Sequence, residues 1–248
     1  MCLIGLNRAD RLNAVNDSIR EGLASSLAKA DSDTDVKVIV IHGGDCRAFC
    51  VGADIKEQRA PETAIGTLSR LSGDHWIDAF ARVRKPLIAA IHDYCMGAGT
   101  EITLACDNRI AASDAVFSLP ETALGLIPGA GGTQRLARVV GEGHAMDIVM
   151  TGDRINAQEA LRIGLISRLV AKPDALMTAA RALARRIADK APLATLYAKE
   201  ALRAGADLTL TEGLRLERTL FALLSATEDK AEASRAFAEA RPPVFRGT

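Results

Sequence analysis

Residues 86–107 read PLIAAIHDYCMGAGTEITLACD. Pro86 opens Leu87–Ile91, five apolar residues in a row, the pattern of a strand buried on both faces. Gly97 to Gly99 break the run. Thr100–Cys106 then reads as a short helix, and Arg109–Ala112 as the next strand. A buried strand, a glycine turn and a helix in close succession predict an α/β fold.

The regions on either side extend this reading. Cys2–Leu6 and Val36–His42 are further buried-strand patterns, rich in Val, Ile and Leu. Between them Ile19, Leu23 and Leu27 recur at helical spacing from Asn16 to Ala30, with Asn16 or Asp17 as N-cap. From Gly132 onward the pattern is helical, punctuated by Gly141, Gly152 and Gly164. Asp174–Asp189, a segment carrying Leu210 to Leu224, and Thr227–Ala240 all show apolar faces, and Pro242 and Pro243 stop the last one. Wide apolar faces on a helical tail call for a cover, either the chain's own core or a neighbouring subunit.

Composition narrows the function classes. The 248 residues carry 31 Lys+Arg and 31 Asp+Glu, a formal net charge of +0, so no basic footprint for nucleic acid is expected. The five cysteines are scattered with no CxxC pair, and the four histidines are not paired at ligand spacing. Neither a disulfide framework nor a metal site is expected. No signal-peptide pattern opens the chain, and no apolar run reaches the ~20 residues of a membrane span. A soluble, cytoplasmic protein is the expectation.

Two acidic residues stand out by context. Glu101 lies in Pro86–Cys106 and Glu121 in Ile110–Gln134, and neither stretch contains a Lys or Arg. Burial without a cation raises a carboxyl's pKa, and a second carboxylate nearby raises one of the two further. A carboxyl tuned in this way serves as a general acid or base near neutral pH. The same residues would also suit solvent-facing positions, and Asp93 and Asp114 share the context, so charge context alone does not select the pair. Gly97-Ala98-Gly99 and Gly52-Ala53-Asp54 are small-residue turns that leave backbone N–H groups available to an oxyanion, although ordinary turns look the same. Pro128 to Thr133 is dense in glycine but matches neither a phosphate loop nor a dinucleotide fingerprint. It reads as a close-packed loop entering a helix that contains Arg135.

Several motifs in fixed order resemble one family. They are Leu6-Asn7-Arg8 with Leu12-Asn13-Ala14, the segment Phe49 to Glu57, Pro86 to Asp107, and Leu119-Pro120-Glu121 through Gly132-Thr133-Gln134-Arg135-Leu136. Thr151-Gly152, Gly164-Leu165-Ile166 and Ala198-Lys199-Glu200 continue the match. Nearly the whole chain is similar to the enoyl-CoA hydratase/isomerase (crotonase) superfamily. The resemblance implies a crotonase-like spiral of ββα units over residues 1–190, lacking the family's usual first strand, and a helical trimerisation region over 191–248. It implies a homotrimer or a homohexamer. It places an oxyanion hole at the N–H groups of Ala53 and Ala98, catalytic carboxyls at Glu101 and Glu121, an acyl-CoA path along Ala53, Asp54, Ile55 and Lys56, and the reacting water near Gly129. Two glutamates together imply hydration of a 2-enoyl-CoA with no metal or redox cofactor. Relatives with one glutamate imply the alternatives, Δ3-Δ2-enoyl-CoA isomerisation or a non-catalytic acyl-CoA-binding role. Ala98 stands where the family commonly has Gly, which is tolerable if its φ is negative. The loop 58–74 and the helical tail are expected to set pocket depth.

Overall fold

A computed structural model describes residues 1–57, 63–73 and 75–248, with only the backbone at position 70. Residues 58–62 and 74, part of the loop expected to set pocket depth, lie outside the described residues. In chain order the elements begin with β1 (Cys2–Gly5), α1 (Asp17–Ser32), β2 (Ile39–His42), β3 (Ala48–Cys50), α2 (Ala64–Leu71) and α3 (Asp78–Arg82). Next come β4 (Leu87–Ile91), β5 (Tyr94–Met96), α4 (Ala98–Ala105), β6 (Asn108–Ala112) and β7 (Val116–Ser118). A 3₁₀ turn at Pro120–Leu124 leads to α5 (Gly132–Val140), α6 (Glu142–Thr151), β8 (Ile155–Asn156), α7 (Ala157–Arg162) and β9 (Arg168–Val170). Four helices complete the chain: α8 (Leu176–Ala188), α9 (Pro192–Gly205), α10 (Leu210–Ser225) and α11 (Glu228–Ala238).

The larger sheet is parallel throughout, in the order β1-β2-β4-β6-β9. Its strands explain the continuous apolar runs. On β4, Leu87, Ala89 and Ile91 face the main core, while Ile88 and Ala90 face a second cluster completed by Leu176, Ala180 and Leu183 of α8. Val40 and Ile41 of β2 divide between the clusters in the same way. Both faces are therefore covered, and alternation is lost from the sequence. Fully burying each of the Leu, Ile and Val side chains contributes about 1.5–3 kcal/mol.

β3, β5, β7 and β8 form a second sheet opposite the first, with β8 antiparallel. Each of the pairs β2–β3, β4–β5 and β6–β7 turns a corner from one sheet into the other. This is the spiral of ββα units expected from the resemblance. Phe49, Cys95 and Phe117 fill the space between the sheets. The three-residue strands of the second sheet are absent from the sequence reading, because three residues are too short to show a period. Thr100–Cys106 is also corrected. The helix begins two residues earlier, at Ala98, because Gly97 rather than Gly99 makes the turn, with φ +50°. Gly99 lies inside the helix for packing: a Cβ there would overlap the Cys50 carbonyl.

Helices α1, α8, α10 and α11 follow their signals, whereas α2, within the stretch expected to be a loop, and α3 and α9 have no counterpart in the sequence reading. Asn16 caps α1 by accepting from the Ile19 N–H at 3.0 Å, and Thr209 and Thr227 cap α10 and α11. Gly141, Gly152 and Gly164 all have positive φ at helix ends. α9 and α10 pack as a hairpin that leaves Leu202, Leu210 and Phe221 exposed. Among the described residues no helix is long and apolar enough to cross a membrane.

Candidate active site

Two glycine turns meet at the end of the second sheet. Gly52 has φ +103° and Gly97 φ +50°, conformations that side chains rarely adopt. A Cβ on Gly52 would lie 3.2 Å from the Met96 carbonyl and 3.7 Å from the Ala98 nitrogen, so the two turns are in contact. Ala98 is not among the residues with positive φ. The positive φ falls on Gly97, and the methyl group of Ala98 is accommodated without backbone strain. Ala98 is the first residue of α4, where the N–H has no partner within the helix. Ala53 pairs with Val15 through its neighbours: Val15 donates to the Gly52 carbonyl and Asp54 donates to the Val15 carbonyl. Among the described residues no acceptor takes the N–H of Ala53 or of Ala98.

Glu101 lies one turn into α4, a helix buried along all eight residues. Glu101 is 3% exposed, and its carboxyl sits at the start of α5. Its Oε1 accepts from the Ala130 N–H at 2.7 Å and the Gly132 N–H at 2.8 Å. A helix N-terminus suits a carboxylate. Burial nevertheless dominates and raises the pKa of Glu101, opposed by the two N–H donors and by the charge of Arg135. Gly132 is glycine by necessity: a Cβ there would meet Pro128 at 2.7 Å and Glu101 Oε1 at 3.0 Å.

Glu121 sits on the 3₁₀ turn, held by the fully buried Leu119 before it and by Gly125 at φ +71° after it. Its Oε1 would be 2.8 Å from a Cβ on Gly97, which places it beside the glycine turn. Its Oε2 is buried without a hydrogen-bond partner among the described residues. Burial, reinforced by the charge of Glu101, pushes its pKa up to about 7. The charge of Glu101 is thus felt at Glu121.

A cleft of about 490 Å³ opens over this corner. Its lining includes Gly52, Gly97 and Glu121, the segment Ala53 to Lys56, and Leu124 and Leu126. Of the sequence candidates, Ala53, Asp54, Ile55, Lys56 and Glu121 line this cleft. Glu101 lies behind it. Gly129 borders a second cavity of about 420 Å³ on the other side of the glycine loop, with His75, Ile77 and Arg135. Asp54 is engaged internally: Arg8 holds it at 2.6 Å and keeps its carboxyl below the usual range. Asp93 and Asp114, which share the charge context of the glutamates, lie in the turns between β4 and β5 and between β6 and β7, where the Asp93 N–H donates to Asp114 Oδ1 at 3.4 Å; neither lines the cleft. No group of His, Cys, Asp and Glu able to hold a metal ion occurs among the described residues. Leu124, Leu126, Arg11 and Leu12 also line the cleft; of these only Leu12 lies in a motif quoted above, and none was read as a site residue, because they converge only through the fold.

The family model described as enoyl-CoA hydratase/isomerase matches residues 1–248. The chain belongs to the enoyl-CoA hydratase/isomerase family. Within it, the chain is 44% identical to a probable enoyl-CoA hydratase of Rhizobium meliloti, over 98% of this chain and 93% of that protein. It is 43% identical to the 2,3-dehydroadipyl-CoA hydratase of Escherichia coli, over 99% of this chain and 94% of that one. Among solved structures of the family, the enoyl-CoA hydratase of Bacillus anthracis superposes with a TM-score of 0.92 at 38% identity, covering 99% of this chain and 95% of that chain.

Proposed function

We propose that the protein hydrates a 2-enoyl-CoA thioester to the 3-hydroxyacyl-CoA. The observation that carries this reading is the convergence at one corner of two pKa-raised glutamates with two N–H groups that have no internal acceptor. The thioester carbonyl sits between the N–H groups of Ala53 and Ala98. Water adds to the β-carbon while one carboxylate takes its proton. Negative charge moves onto the thioester oxygen, where the N–H donors stabilise it, each typically by a factor of about 10²–10³ in rate. The other carboxyl delivers a proton to the α-carbon, restoring the thioester. A C–O bond forms at the β-carbon and a C–H bond at the α-carbon as the π bond and one O–H bond of water are lost, with no net oxidation or reduction, so the reaction requires no redox cofactor. Positioned acid–base groups of this kind contribute about 10²–10⁴ each.

The coenzyme A portion runs along Ala53 to Lys56, with the Lys56 ammonium at the cleft wall available to a phosphate. Residues 191–248 serve subunit assembly into a trimer or a pair of trimers, in keeping with the apolar side chains left exposed on α9 and α10.

The test is loss of the conjugated thioester's ultraviolet absorbance with crotonyl-CoA. Wild type turns over, and Glu101→Gln and Glu121→Gln each lose about 10²–10⁴ in kcat. An inert wild type that still binds coenzyme A esters, and that converts a 3-enoyl-CoA to the 2-enoyl isomer, would replace hydration by isomerisation.

A further inference from the structure

The Glu101 carboxyl depends on a loop that has to be held in place. Ala130 donates its N–H to Glu101, and its carbonyl accepts from Arg135 Nη1 at 2.9 Å. Arg135 lies in the first turn of α5, and its side chain folds back over Gly131. The path is open only because Gly131 has no side chain: a Cβ there would overlap Nη1, and φ is +94°. The Arg135 backbone N–H also donates to the Gly131 carbonyl at 2.8 Å. Residues 130–132 are thus gripped from one side by Arg135 and from the other by Glu101. The guanidinium borders the second cavity and forms no ion pair among the described residues. Burial disfavours its charge, the nearby carboxylates of Asp78 and Glu101 favour it, and its hydrogen bond goes to the Ala130 carbonyl.

We propose that Arg135 is a positioning residue for Glu101, clamping Ala130 so that the N–H groups of Ala130 and Gly132 stay aimed at the carboxylate. Arg135 does not touch the reacting atoms in this arrangement; it acts through the loop and through its charge. The charged groups around it are Glu101 and Glu121, Asp78 of α3, Arg203 of α9, and the Arg138–Asp207 pair with His75 around the second cavity. Arg203 is already bound to the Ala105 carbonyl and to Asp107, so it does not replace Arg135 at Ala130. The inference rests on the hydratase reading for its catalytic meaning, but not for its physical content.

The experiment follows the Glu101 carboxyl by ¹³C NMR in the resting full-length protein, identified by its loss in Glu101→Gln. Both the loop donors and the cation favour the ionised form, so loosening them raises the midpoint. In Arg135→Met the midpoint rises by about half a pH unit or more. Arg135→Lys, which keeps the charge, returns most of the shift. Arg138→Met, one turn further along α5, leaves it unmoved. In the crotonyl-CoA assay Arg135→Met lowers kcat tenfold or more on the order expected for a displaced catalytic group, with little change in KM and with the acid limb moved the same way. An unshifted midpoint in Arg135→Met, or an equal shift in Arg138→Met, overturns the proposal. An inert wild type with the shift intact overturns the hydratase reading alone.

Discussion

At the scale of single residues, Glu121 and Gly97 carry the most specific consequences. The Glu121 carboxyl titrates near 7 in the fold, against an ordinary value of 4.5. A carboxyl whose folded pKa is raised opposes folding as it ionises. Its contribution is therefore most favourable below 4.5 and is lost as pH rises towards 7. Glu121→Gln removes that loss, so its melting temperature should exceed that of wild type by more at pH 8 than at pH 5. Calorimetry at the two pH values checks the sign. Gly97→Ala would force a side chain into a glycine-only conformation and against Glu121 Oε1 at 2.8 Å. It should cost about 1–3 kcal/mol in denaturant unfolding and, by displacing the Ala98 N–H, about 10²-fold in kcat.

At the scale of elements, α4 is the part on which the site is built, and it is anchored at both ends. Its N-terminus presents Ala98 and Glu101. At its C-terminus Arg109 donates to the Thr103 and Cys106 carbonyls and Arg203 to that of Ala105, as the helix dipole favours. Asp107 joins the tail to this point: it pairs with Lys199 at 2.9 Å and Arg203 at 2.7 Å, and accepts the Leu87 N–H at 2.7 Å. The cluster is largely buried, with Asp107 16% exposed. Removing one charge from it leaves the cations uncompensated. Asp107→Asn should therefore destabilise the protein by about 3 kcal/mol, read as a lower denaturation midpoint with an unchanged slope. The sequence placed α4 as a helix through its glycines and small residues. It did not reveal the anchor, since Asp107, Lys199 and Arg203 meet only when α9 crosses the end of α4.

At the scale of the whole molecule, the spiral is closed by its own core, whereas the tail is not. Leu202, Leu210 and Phe221 are 77%, 79% and 73% exposed on α9 and α10. Exposed apolar surface on this scale marks an association face. Under the subunit assembly proposed for residues 191–248, Phe221→Glu should lower the particle mass measured by light scattering, with the fold retained by circular dichroism. The apolar periodicity of Leu210, Leu214, Phe221 and Leu224 was legible, because helical spacing is a local property. Which of these side chains the chain's own core would cover was not, because that depends on where the helix lies.

The sequence by itself determined the α/β class, the buried-strand character of Leu87–Ile91, the start of α1 at Asn16 or Asp17, and the glycines that turn the chain. These are set by side-chain volume, period and backbone freedom within a few residues of each position. Only the tertiary structure separated Glu101 and Glu121 from Asp93 and Asp114, put the positive φ on Gly97 rather than Ala98, and brought Arg135 over Gly131 onto Ala130. Those outcomes depend on desolvation and on contacts between segments far apart in the chain, and such contacts exist only once the two sheets have closed on each other.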